Sequence, residues 1–129
     1  FVLATGETHT VREFVELTFQ NLGITLDWKG AAENETGVIA SVDFEKASQL
    51  VGYDYLQNPM GIKQNHDLKP GTPVVKVNPK YYRPTEVDIL IGDPSKAKAQ
   101  LGWEAKTLFS DLVHLMIQSD FSKVLKRGY

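Results

Sequence analysis

The 129-residue chain contains no cysteine. That absence removes a disulfide framework, a thiolate nucleophile and every cysteine-based zinc site, and it permits a reducing compartment. No run of about 18 apolar residues occurs, nor a basic segment leading into an apolar one, so neither a membrane span nor a secretion signal is predicted. Charge of one sign is also scarce. The 14 Lys and Arg residues nearly balance 16 Asp and Glu, for a net charge of -2, which offers nucleic acid or anionic lipid no general attraction. Glycine is never clustered: Gly6 and Gly23 stand too far from other glycines to form a phosphate-cradling G-x-G-x-x-G turn.

What remains is an ordinary globular composition, 42% hydrophobic and 23% charged, at a length that suits one domain. The charge is unevenly spread. Residues 1–65 carry 4 basic and 9 acidic side chains, and residues 66–129 carry 10 and 7, so an anionic ligand should favour the second half.

Phe1 to Thr5 form a short apolar run closed by Gly6, which predicts a buried strand. A chain that opens on Phe1 in mid-strand is expected to be part of a longer protein. Thr10 with Glu13 makes a capping box, and Val11, Phe14, Val15, Thr18, Phe19 and Leu22 follow at helical spacing up to Gly23, predicting a helix over 11–22. Ile24 to Trp28 alternate as in a half-buried strand, giving a βαβ-like start. From Ala31 to Gly71 the pattern weakens into an irregular insertion, with one apolar stretch at 37–42 and a helical turn around 45–51. Val74 to Val77 alternate and stop at Asn78-Pro79, a strand whose exit proline fixes. Asp93-Pro94 then opens a helix to Leu101 that Gly102 terminates. Thr107 caps a last helix whose apolar face is drawn through Leu108, Leu112, Leu115, Met116, Phe121, Val124 and Leu125. The total is three helices and three short strands.

Chemistry-bearing constellations are few. His9, His66 and His114 are scattered, with no i,i+4 ligand pair on one helix face, and His114 reads as a helix-surface residue. No serine stands in a nucleophile elbow. The Tyr-x-x-x-Lys acid/base pair of short-chain dehydrogenases is absent, because Gln57, Pro59, Thr85 and Glu86 follow the relevant tyrosines. One loop stands out, Lys80-Tyr81-Tyr82-Arg83-Pro84-Thr85-Glu86-Val87-Asp88. A guanidinium presents a planar fork of donors suited to a diphosphate, and a carboxylate three residues later can accept from a ribose diol. The same two side chains could equally form a local surface ion pair while the tyrosines merely pack.

The blocks Phe1–Gly6 leading into Thr10–Glu16, Tyr81–Asp88, and Gly92–Ala97 with Leu101-Gly102-Trp103 resemble, in order, the C-terminal part of the GDP-mannose 4,6-dehydratases. These are members of the extended short-chain dehydrogenase/reductase group. The resemblance spans about two thirds of the chain. It implies an α/β fold with α+β-like character, the C-terminal substrate-binding sub-domain over residues 1–129, without the Rossmann domain. It further implies a cytoplasmic, homo-oligomeric parent enzyme. With NADP, such an enzyme oxidises C4 of GDP-mannose, eliminates water across C5 and C6, and returns the hydride to C6. The family's cofactor and catalytic motifs are missing, so no catalytic, cofactor or metal residue is expected in this segment. The positions matching the family's substrate motif are Arg83, toward the diphosphate, and Glu86, toward the ribose hydroxyls; Tyr82 is a weaker candidate, and Arg12 is as well explained as a helix-surface residue. Two other readings stand beside this one: the same segment of another nucleotide-sugar dehydratase or reductase, and a non-catalytic binding or interaction module.

Overall fold

The structure is a computed structural model, and it describes residues 1–43, 45, 46, 49, 68–84 and 89–127. The first helix, α1 (Val11–Asn21), begins where the capping box demands. The Glu13 N–H donates to Thr10 Oγ1 at 3.1 Å and the Thr10 N–H donates to Glu13 Oε2 at 3.1 Å, so two orphan donors are satisfied reciprocally. Gly23, at φ +75, reverses the chain into β1 (Ile24–Lys29). A short 3-10 turn at Ala32–Asn34 then leads into β2 (Thr36–Val42).

The strand β2 lies in the centre of a three-stranded antiparallel sheet of order β1-β2-β3, with β3 (Pro73–Lys76) on the far edge. Pro73 is tolerated as the first residue of an edge strand because no ladder bond is asked of its missing N–H. This arrangement corrects two expectations. The start of the chain is not βαβ: residues 1–5 join no ladder among the described residues, and the sheet is an antiparallel meander. Nor is the whole of 31–71 irregular, since 36–42 form the middle strand. Val38 and Ile39 are buried there, Ile39 to 1% exposure, because a central strand covered on both faces reads as a continuous apolar run instead of an alternating one. The helical turn expected around 45–51 falls largely outside the described residues.

Helix α2 (Ser95–Leu101) starts one residue later than predicted. Pro94 sits at the N-cap, and Asp93 bends back to accept from the Ser95 N–H at 2.9 Å and from the Ser95 hydroxyl. Gly102 ends the helix at φ +64, as expected. Helix α3 (Phe109–Arg127) packs against α1 through Val113 and Ile117, which are both buried. This corrects the predicted apolar face: Leu108, Leu112, Leu115, Met116 and Val124 are exposed, and the side chain of Leu125 lies outside the described set. Two apolar stripes run along this helix, and residue type alone does not say which is turned inward. His114 is likewise no plain surface residue, for it is half-buried with Nδ1 3.4 Å from Asn21 Oδ1. With three helices and a small sheet among the described residues, the α/β class stands. No helix among the described residues is long and apolar enough to cross a membrane.

Candidate functional site

The sheet edge sets up a rigid turn. As β3 ends, the Val77 N–H donates to Glu35 O at 3.4 Å, tying the exit of the strand to the entry of β2. Asn78 then organises the next residues: its side-chain oxygen accepts from the Lys80 N–H at 3.0 Å, and its carbonyl accepts from the Tyr81 N–H at 3.0 Å. Pro79 fixes φ within the turn, and its carbonyl accepts from the Tyr82 N–H at 3.4 Å. Asn, Pro and a following extended segment are the residue types that such a turn requires.

Beyond the turn lies an open cavity of about 450 Å³ lined by Val77, Asn78, Tyr81, Tyr82, Arg83 and Pro84. Arg83 is exposed and pairs with no carboxylate among the described residues. Tyr82 is half-buried beside it, and Tyr81 is exposed, with the Lys80 ammonium 5.4 Å from its ring centroid. Glu86 lies outside the described residues, so of the two expected substrate-binding residues only Arg83 is placed. A guanidinium and two phenol rings lining an open cavity, with an ammonium over one ring, can bind a phosphorylated, planar ligand.

The other arginine of the opening blocks is used differently. Arg12 forms an ion pair with Glu35, and its guanidinium lies 4.5 Å from the Trp28 ring centroid. The Trp28 indole N–H donates to Glu16 Oε1 at 2.8 Å, and the ring rests on Gly37, where a Cβ would come within 3.2 Å of it. Arg12 is thus more than the helix-surface residue of the sequence reading: it clamps α1 onto the sheet. The signal for this was present in the spacing of Arg12 and Glu16, one helical turn apart, but their common partner Trp28 is visible only in three dimensions.

His9 stacks on Phe109 at 3.9 Å and stands between Glu13 and Glu7, at 3.1 and 3.3 Å. Glu13 follows His9 by four residues, so a His–carboxylate pair does exist at the entrance to α1. No group of three or more His, Asp or Glu among the described residues is arranged to hold a metal ion. Asp93 is held below the ordinary aspartate range, chiefly by the Ser95 hydroxyl and then by the Ser95 N–H.

A sequence model described as GDP-mannose 4,6 dehydratase matches residues 1–116. Among similar curated proteins, a GDP-mannose 4,6 dehydratase of Dictyostelium discoideum is 41% identical over 99% of this chain and 28% of its own length. One of Homo sapiens is 39% identical over 93% of the chain and 25% of its own length. One of Vibrio cholerae is 35% identical over 98% of the chain and 29% of its own length. All three carry the name of a nucleotide-sugar dehydratase. The chain belongs to the GDP-mannose 4,6 dehydratase family, and it spans between a quarter and a third of the length of these relatives.

Proposed function

We propose that this chain is the substrate-binding C-terminal segment of a GDP-mannose 4,6-dehydratase, in which it holds the GDP portion of GDP-mannose. Arg83 binds the diphosphate and Glu86 accepts from the ribose hydroxyls. The observation that carries this reading is the exposed Arg83 guanidinium, which has no carboxylate partner among the described residues and lines an open cavity on a turn fixed by Asn78 and Pro79. An exposed guanidinium presents five donors, and a diphosphate matches two of them at once.

The whole enzyme is then an NADP-dependent hydro-lyase of sugar metabolism, cytoplasmic and homo-oligomeric, converting GDP-mannose to GDP-4-keto-6-deoxymannose. The residues of this segment do not fit the dinucleotide. Gly6 follows an apolar stretch and precedes α1 but stands alone, and no second glycine lets a pyrophosphate approach the helix. No hydride step is therefore derived from these residues. Their part is to bind and orient: fixing the nucleotide end at a distance from the reacting sugar contributes binding energy that positions the sugar.

The test is kinetic. In the complete protein carrying this chain, Arg83→Ala should raise the KM for GDP-mannose by roughly 30-fold or more, corresponding to about 2 to 4 kcal/mol for a charged group losing its partner. A KM unchanged by the substitution removes Arg83 from the site.

A further inference from the structure

Two residues before Arg83, Tyr81 is 70% exposed and lines the same cavity. Its mounting is rigid. The backbone N–H of Tyr81 and that of Lys80 are both bound by Asn78, and Pro79 stiffens the turn between them. Among the described residues no aromatic side chain stacks on it; the ring pairs lie elsewhere, at His9–Phe109 and Phe14–Phe109. An exposed aromatic ring on a preorganised turn, beside an exposed guanidinium, combines the two features that a nucleoside diphosphate presents in reverse: a planar base and an anionic tail.

We propose that Tyr81 is the platform on which the base of the bound nucleotide stacks, and that this contact favours a purine over a pyrimidine. The assignment rests on the reading of Arg83 as the diphosphate ligand. Stacking uses the π-face and needs no hydrogen-bond readout, so it rewards the larger ring system and tolerates a change of aromatic residue. Tyr81 has two rotatable side-chain torsions and a fixed backbone, so little conformational freedom is lost when the base settles on it. The Lys80 ammonium near the ring adds positive charge on the same turn, next to the place where the phosphates arrive. Tyr82, half-buried, leaves less of its side chain available.

The experiment compares three probes, GDP, UDP and inorganic pyrophosphate, by calorimetric titration of the complete protein and its variants. Tyr81→Ala should weaken GDP about 10-fold, the loss of one stacked base, and reduce the GDP-over-UDP preference, while pyrophosphate stays within about 2-fold. Tyr81→Phe and Tyr81→Trp should keep GDP within about 3-fold. Arg83→Ala should weaken GDP and pyrophosphate together. Unchanged GDP affinity in Tyr81→Ala, with Arg83→Ala still impaired, overturns the stacking role and leaves the Arg83 reading standing. Equal losses of GDP and pyrophosphate in Tyr81→Ala, or a Tyr81→Phe variant as weak as Ala, also overturn it, the first pointing to a damaged turn and the second to the hydroxyl. Unchanged binding of both probes in Arg83→Ala instead refutes the diphosphate site on which the inference rests.

Discussion

Arg12 and Arg83 each sit beside an aromatic residue, yet the regions around them have opposite character. At the junction of α1 with the sheet the polar side chains engage one another: Arg12 with Glu35 and the Trp28 ring, Trp28 with Glu16, and the ring itself with the bare backbone of Gly37. On the turn after β3 the N–H groups of Lys80, Tyr81 and Tyr82 are bonded, but Arg83 and Tyr81 are exposed, and Arg83 meets no carboxylate among the described residues. If Arg83 binds the diphosphate as proposed, a structural and a ligand-facing arginine are told apart by their partners and not by their neighbours in sequence. A third region, formed by residues 1–5 and 89–92, differs from both. There Gly92 passes so close to Ala4 that a Cβ would come within 2.6 Å, while Phe1, Val2, Leu3, Ile89, Leu90 and Ile91 are exposed.

The largest effect on the comparison should come from the core that supports both arginines. Ile39 is the centre of the middle strand, and Ile39→Ala should lower unfolding stability by about 2 to 5 kcal/mol in a denaturant titration, through lost burial and the cavity left behind. Next in size, Arg12→Ala should cost about 1 to 2 kcal/mol of stability, because the largely covered Glu35 carboxylate loses its partner and the Trp28 ring loses the guanidinium over it. Arg83→Ala should leave the thermal midpoint unchanged, and equal losses in the two arginine variants would erase the distinction between the regions.

The smallest expected effect is the acid behaviour of α2. The carboxyl of Asp93 is held below its ordinary range by Ser95, so its contribution is fully present above the ordinary aspartate value and is lost as pH falls through the lower folded value. An NMR titration should find the Asp93 midpoint depressed in the native protein and raised toward the ordinary value in Ser95→Ala. A midpoint that Ser95→Ala does not move would show that the helix start is held some other way.

Much of the fold was legible wherever a local rule has a local cause. The Thr10–Glu13 box, the stop at Gly23, the alternation of Ile24–Trp28 and the Gly102 cap all appear where the residues place them. Strand β2 was hidden because its burial on both faces removes the period of two that marks a strand. Residues 1–5 misled for the converse reason: their apolar run has the composition of a strand, but a strand exists only in a ladder, and none is formed among the described residues. In α3 the inward stripe is Val113 and Ile117, and the outward one is as apolar, so packing against α1 decides what composition leaves even. At the candidate site, the chemistry of Arg83 could be read from residue type; which of two adjacent tyrosines lies open, and that Arg12 is already taken, depend on contacts between elements far apart in sequence.

The most direct measurement is the affinity of the complete protein for GDP in wild type, Arg83→Ala and Arg83→Lys, taken alongside their thermal midpoints. The account predicts a loss of roughly 30-fold or more for Ala, a partial loss for Lys, whose point charge cannot reproduce the planar fork, and unaltered midpoints in both. Wild-type affinity in Arg83→Ala, or a loss that merely follows a lowered midpoint, would contradict it.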